Sequence, residues 1–74
     1  MSSIDIIIQK MHNRPNGIRF DELTKVLETF GYQFIRINGS HAVFRNEKGD
    51  VIVIKKDNPL KAVYVKDVLR RIGL

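Results

Sequence analysis

The sequence predicts an α+β fold with the element order α-α-β-β-β-α. Three stretches repeat apolar residues at helical spacing, and three short runs rich in β-branched and aromatic residues are separated by turn motifs. A three-stranded antiparallel sheet with one apolar face needs helices to cover that face. We therefore expect the helices on one side of the sheet and an open surface on the other.

The helices are predicted from apolar residues at the i, i+3, i+4, i+7 spacing. Ser2 or Ser3 can serve as N-cap of the first helix, and a turn cluster at 14–17 separates it from the second. Gly31 suits the position after the second helix, and Gly73 closes the third. The three stripes are Ile4, Ile7, Ile8 and Met11; Leu23, Val26, Leu27 and Phe30; and Val65, Val68, Leu69 and Ile72.

The strands are predicted at 32–37, 40–45 and 51–54, with turns at 38–39 and 46–50. Asn38-Gly39 accepts positive φ at both central positions of a type I′ turn, which would place Arg36 opposite His41 and Phe34 opposite Val43. One face would then be polar and open, and it would carry His41. The apolar face would hold Ile35, Ile37, Ala42 and Phe44, and the open face Tyr32, Phe34, Arg36, His41, Val43 and Arg45.

Length and composition indicate one small domain, residues 1–74. The chain has no cysteine, which excludes disulfides and thiolate metal sites. The apolar run at 6–8 is too short to span a bilayer, and the N-terminus lacks the pattern of a signal peptide. We expect a cytoplasmic protein without a membrane segment. The α-β-β-β-α part has the layout of double-stranded-RNA-binding domains, with one helix added in front.

The positive charge is concentrated in the second half of the chain. Residues 1–35 carry four basic and four acidic side chains, whereas the remainder carries nine basic and four acidic ones, so the whole net charge of +5 lies after residue 35. Such a half suits a polyanion such as nucleic acid, or an acidic protein. A solvated basic surface without a partner would have the same composition.

His41 is the strongest single candidate for chemistry. A neutral imidazole can take a proton from a ribose 2′-hydroxyl, which then attacks the adjacent phosphorus. The alternative is a partly exposed strand histidine with a structural hydrogen bond.

Lys66 and Arg70 are spaced four apart and could hold phosphates together. The chain has no glycine-rich phosphate loop, no metal-ligand spacing and no catalytic triad, so we expect neither a cofactor nor a metal.

Three segments carry a resemblance to a known family. They are the run Gly39-Ser40-His41-Ala-Val-Phe44-Arg45, the strand at 49–54 and the C-terminal segment at 66–74, together with Phe20-Asp-Glu-Leu23. These segments resemble the HicA toxins of bacterial toxin-antitoxin systems over residues 18–74, with residues 1–13 as an N-terminal helix extension. The resemblance implies a small metal-independent ribonuclease that cleaves mRNA and is neutralised by a HicB-type antitoxin. It also implies that His41 is catalytic and that Gly39 shapes its turn.

The chain departs from that family's pattern at two places. Many relatives have a second histidine where this chain has Ala42, and a Lys-Pro-Gly lead into the last helix where this chain has Lys61-Ala-Val63. Because Ala42 is predicted on the apolar face, its presence should not remove the general base.

The function predicted is therefore that of an mRNA-cleaving toxin with His41 as general acid or base. Two alternatives stay open, namely a non-catalytic RNA-binding module and a protein-interaction domain for an acidic partner. The residues expected to bind RNA are Gly39, Ser40, Arg36, Arg45, Lys55, Lys56, Lys61, Lys66 and Arg70.

Overall fold

The computed structural model describes residues 3–74 and has the predicted element order. The helices are α1 (Ser3–Asn13), α2 (Phe20–Thr29) and α3 (Ala62–Ile72), and a 3-10 turn (Pro15–Gly17) links the first two. The strands are β1 (Gln33–Asn38), β2 (His41–Arg45) and β3 (Val51–Lys55). The suggested N-cap Ser2 lies outside the described residues, and Ser3 is already helical.

The ends of α2 and α3 follow local rules of helix capping. The Glu22 carboxylate accepts the backbone N–H of Arg19 at 3.0 Å, which satisfies a free donor at the start of α2. Gly31 and Gly73 follow α2 and α3 with φ of +89° and +79°. This left-handed backbone turns the chain out of each helix at little cost only when the residue is glycine.

The sheet is antiparallel, with β2 between β1 and β3. Four side chains of β2 and β3, Ala42, Phe44, Ile52 and Ile54, are fully buried beneath the helices. The alternate side chains of these strands, including His41 and Val53, face the opposite side. The prediction that the helices lie on one side of the sheet and leave the other open is therefore confirmed.

The predicted hairpin register was wrong near the turn. The central turn residues are Gly39 and Ser40, so Asn38 faces His41, and Arg36 faces Val43 rather than His41. Gly39 has φ of +62° and Ser40 has a negative φ, the pattern of a type II′ turn, which needs glycine only at its first central position. Asn38 therefore remains in β1 instead of turning.

The predicted faces were wrong at three positions of this segment: Tyr32, expected on the open face, precedes β1 and is buried in the core, and a β-bulge changes the faces of Phe34 and Ile35. The register shifts between Phe34 and Arg36, so Phe34 pairs with Phe44 on the helix side. The Phe34 and Phe44 rings meet edge to face, with centroids 5.7 Å apart. Ile35, the extra residue, borders a cleft with Gln33 and Arg45 instead of facing the core. Strict alternation cannot show an inserted residue, which is why the prediction failed here.

The core draws on all three helices and all the strands except β1. Helix α1 contributes Ile7 and Met11, so the N-terminal helix packs into the same core as the rest of the chain. Phe44 is fully buried at the centre and also contacts Phe20 at a ring-centroid distance of 6.1 Å. No polar or charged residue within 3–74 is buried.

A polar network joins the start of the sheet to the last helix. The Tyr32 hydroxyl donates to Asp50 at 2.5 Å, and Arg71 of α3 contacts Asp50 at 2.9 Å and the Val51 carbonyl at 2.8 Å. Burial and the bond to Asp50 raise the pKa of Tyr32, while the Tyr32 hydrogen bond and then Arg71 lower the pKa of Asp50. Burial alone would lower the pKa of Arg71, but Asp67 and Asp50 raise it.

Phe44→Ala should destabilise the protein by about 3–5 kcal/mol, because it removes a fully buried ring that contacts Phe20 and Phe34. Urea unfolding followed by circular dichroism measures this change. Phe30→Ala, at a position 40% exposed after α2, is the matched control and should lower the free energy of unfolding much less. Equal costs for the two variants would contradict the placement of Phe44 at the centre of the core.

Stability should fall in acid partly through Asp50. Because its pKa is lowered in the folded state, its contribution is complete above about pH 3.9 and is lost as the pH falls through the folded value. The difference in urea midpoint between wild type and Asp50→Asn should therefore be largest near neutral pH and shrink in acid. Glu47→Gln, an exposed position in the same turn, is the control. A difference that is constant with pH would contradict the network.

Candidate nucleic-acid interface

The open face of the sheet is arranged in three rows of side chains that cross the strands. Residues paired across an antiparallel ladder share a face, so the observed register defines each row. His41 belongs to the row next to the hairpin turn. The rows are Asn38, His41 and Lys55; Arg36, Val43 and Val53; and Gln33, Arg45 and Val51.

The charge of this face has one sign. None of the three strands contains an aspartate or a glutamate, whereas Arg36, Arg45 and Lys55 supply one cation to each row. These three side chains form no ion pair with any residue from 3 to 74. A surface with unpaired cations and no carboxylates attracts polyanions and repels other cations.

His41 opens β2 and is exposed on this face. Its direct neighbours across the strands are Asn38 on one side and Lys55 on the other. Cβ atoms at such positions lie about 4.5–5.5 Å apart. Within residues 3–74 the imidazole makes no hydrogen bond and no ion pair, so both ring nitrogens are accessible to a ligand.

The backbone around His41 is held by the turn and by the segment after β3. Gly39 supplies the positive φ that the turn requires, and the exposed Ser40 precedes the histidine. The Ser40 carbonyl accepts the backbone N–H of Lys56 at 2.6 Å. This bond ties the hairpin turn to the end of β3 and so keeps Lys55 beside His41.

The other predicted cations lie outside the strands, and two of them border a cleft that reaches Val53 of the open face. Lys56 places its ammonium 5.1 Å from the centroid of the Phe20 ring, and Lys61 is the N-cap residue of α3. Lys66 and Arg70 line a cleft between α3 and β3, where Arg70 also pairs with Asp67. The structure therefore places Gly39, Ser40 and Lys55 beside His41, and Arg36 and Arg45 on the same face one and two rows away, whereas Lys56, Lys61, Lys66 and Arg70 lie outside the strands.

Sequence reasoning missed Asn38 as a neighbour of His41. The dipeptide Asn38-Gly39 was assigned to the turn, which removed the amide from the sheet. Its actual position in β1 gives the histidine row a group that both donates and accepts hydrogen bonds. The signal available in the sequence was Gly39-Ser40, which fits a type II′ turn equally well.

Neither a cluster of metal-ligating side chains nor a membrane-spanning helix is found in residues 3–74. This part of the chain contains no cluster of three or more histidine, aspartate or glutamate side chains that could hold a metal ion. None of its helices has the length and apolar character needed to cross a membrane.

Comparison with known proteins identifies the family. No curated protein and no solved structure gave a significant match to the chain. A family model described as the HicA toxin of bacterial toxin-antitoxin systems matches residues 20–74, which include α2, the whole sheet and α3. The match covers well over half of the sequence and agrees with the resemblance seen in the motifs. The chain belongs to the HicA family and is a toxin of a toxin-antitoxin system.

Proposed function

We propose that this toxin is an endoribonuclease that cleaves mRNA and that His41 is its general acid–base residue. The observation that supports the proposal most directly is the accessible imidazole on a carboxylate-free cationic sheet face, between Asn38 and Lys55. An RNA strand is a polyanion, and its reacting 2′-hydroxyl needs a base of the kind that a neutral histidine provides.

The reaction that fits one histidine is transesterification within the RNA. The Nδ1 or Nε2 atom of neutral His41 takes the proton of a ribose 2′-hydroxyl, whose oxygen forms a bond to the adjacent phosphorus. The bond from phosphorus to the 5′-oxygen of the next nucleotide breaks, and that oxygen takes the proton that His41 removed from the 2′-hydroxyl, which returns the imidazole to its neutral form. The products are a 2′,3′-cyclic phosphate and a 5′-hydroxyl. The chain's own groups suffice for these steps, and no metal takes part.

The position of Lys55 suits it to stabilise negative charge on the reacting phosphate. It is the direct cross-strand neighbour of His41, and its ammonium is within reach of a phosphate held at the imidazole. Negative charge on the non-bridging oxygens grows as the 2′-oxygen attacks, and a fixed cation stabilises that charge. Arg36 and Arg45 in the other two rows would bind neighbouring phosphates and position the strand.

The remaining predicted cations form a second candidate path for RNA. Lys66 and Arg70 border a cleft that also includes Val53 of the open face, so a strand leaving His41 could continue there. Lys56 and Lys61 lie on the helix side, where RNA contacts would require the strand to pass around the end of the sheet. A strand bound at His41 would therefore meet Lys66 and Arg70 before Lys56 and Lys61.

The antitoxin that this family implies is proposed to be of the HicB type and to inhibit by covering the His41 face. A cationic catalytic surface is complementary to an acidic protein, and occupying it blocks RNA at the same time. Arg36 and Arg45 would then contact both the antitoxin and the substrate.

His41→Ala should lower the rate of RNA cleavage by about 10² to 10⁴-fold, the usual contribution of a general acid–base residue. The fold should be unaffected because the side chain is exposed and makes no contact that α2 or α3 needs. Cleavage of a labelled RNA by purified protein measures the effect, with circular dichroism as the check on folding. His12→Ala, at the other exposed histidine, is the matched control.

Retention of full cleavage by His41→Ala would contradict the assignment, and cleavage abolished by EDTA would contradict a metal-independent reaction. Absence of turnover in the wild-type chain, with RNA still bound, would favour the RNA-binding module. Absence of both turnover and salt-sensitive RNA binding would favour the protein-interaction domain.

The triple variant of Arg36, Arg45 and Lys55 to glutamine should weaken RNA binding and reduce its salt dependence by a slope of about 0.7 for each phosphate that the protein no longer neutralises. Affinities measured over a series of salt concentrations test this. Lys66→Gln with Arg70→Gln tests the cleft, and Lys56→Gln with Lys61→Gln tests the helix side. Lys25→Gln on the exposed surface of α2 is the control. An unchanged slope in the triple variant would exclude the open face as the phosphate-binding surface.

A further inference from the structure

Strand β1 is exposed along its entire length. All six of its residues are exposed, and Phe34, Ile35 and Ile37 are 47–51% accessible. Phe34 and Ile37 lie on the helix side and Ile35 borders the cleft with Gln33 and Arg45, so apolar surface is present on both faces of the strand. An edge strand with several exposed apolar side chains is a site for pairing with another chain.

The two edges of the sheet differ in protection. At the β3 edge Arg71 donates to the Val51 carbonyl, whereas helix contacts do not distinguish the edges, since α2 contacts β1 as α3 contacts β3. At the β1 edge no side chain from residues 3–74 is hydrogen-bonded to the backbone of the strand. Natural proteins usually shield strand edges with charge, a bulge or a covering element. In β1 the bulge lies at Ile35, so the regular segment from Arg36 to Asn38 is the part of this edge available to a partner.

The backbone of Ile37 is directed to that free edge. The pair that flanks a two-residue turn exchanges both hydrogen bonds, and pairs with and without hydrogen bonds then alternate. Asn38 and His41 flank the turn, so Ile37 and Ala42 form the next pair, which is not hydrogen-bonded. The N–H and C=O of Ile37 therefore face outward and can pair with an added strand.

Charge indicates which kind of strand fits. Arg36 is the only charged residue of β1, and it lies in a row with no acidic side chain. A second copy of this chain, paired about the centre of β1, would bring two Arg36 side chains to neighbouring positions, which destabilises a sheet. A strand with carboxylates would instead pair with Arg36 and place its apolar side chains against Ile35 and Ile37.

We propose that β1 is the docking strand of this toxin, to which the antitoxin adds an acidic, partly apolar strand by edge-to-edge pairing. The inference rests on the proposed function in taking an acidic antitoxin as the partner. Pairing at β1 extends the sheet, and the remainder of the antitoxin is thereby positioned next to the row of Arg36, Val43 and Val53 and can reach over His41. Backbone pairing would supply affinity, and Arg36 would select for acidic sequence.

The first test uses the full-length chain and a synthetic peptide of alternating glutamate and valine, with a lysine and valine peptide as control. In ¹H–¹⁵N NMR spectra the acidic peptide should shift the amides of β1 and slow hydrogen exchange at the Ile37 N–H. The lysine peptide should do neither. Shifts confined to the row of Asn38, His41 and Lys55, or equal effects of both peptides, would overturn the proposal.

The second test uses the protein encoded by the gene adjacent to that of this chain. Ile37→Glu should weaken its binding about tenfold or more, corresponding to about 1.4 kcal/mol, and Ile37→Lys should weaken it less. Val63→Glu, at a 66% exposed position of α3, is the matched control. If Ile37→Glu proves unfolded by circular dichroism, Ile35→Glu replaces it.

Wild-type affinity in Ile37→Glu, a larger loss with Ile37→Lys, or dimerisation of the chain through β1 would each overturn the proposal. RNA cleavage is measured in parallel with the same variants. If the wild-type protein does not cleave RNA, the proposed catalytic function is refuted. The binding measurements test whether β1 is the docking strand, and they do so whether or not the protein cleaves RNA.

Discussion

The central strand β2 is the constraint on which the rest of the structure depends. Ala42 and Phe44 are fully buried against the helices, and they are two residues apart, so the residues between and around them must face the other way. His41 is therefore held on the open face by the burial of its neighbours. A shift of one residue in this strand would place the imidazole in the core and the Phe44 ring in solvent.

The distribution of acidic residues gives this open face its single sign. Glu22 pairs with Lys10 between α2 and α1, while Asp50 and Asp67 pair with Arg71 at the end of α3. Glu22 and Asp50 thus join separate elements, whereas Asp67 pairs within α3. Because no carboxylate lies in a strand, the cations of the sheet have no ion-pair partner within residues 3–74 and are available to RNA or to a protein.

The irregularity at Ile35 changes what β1 can do. Without the extra residue, Phe34 would lie on the open face beside the cationic rows. With the bulge, its ring reaches Phe44 on the helix side, yet half of its surface stays accessible because β1 is an edge strand. The bulge therefore gives one strand two properties: attachment to the core through Phe34 and an apolar edge that no element of the described chain covers.

The sequence by itself determined the order of elements, the faces of β2, and the family, because these follow from periodicities of 3.6 and 2 and from the motif around His41. Tertiary structure decided the pairings. Asn-Gly and Gly-Ser can both form the central pair of a hairpin turn, and the bulge at Ile35 is set by how Phe34 packs on Phe44. For this reason no local sequence pattern could reveal that Asn38 and Lys55 are the neighbours of His41. The distribution of the cations likewise depended on packing: Lys55 and Lys56 are adjacent in sequence, but strand alternation leaves one on the open face and directs the other to the Phe20 ring.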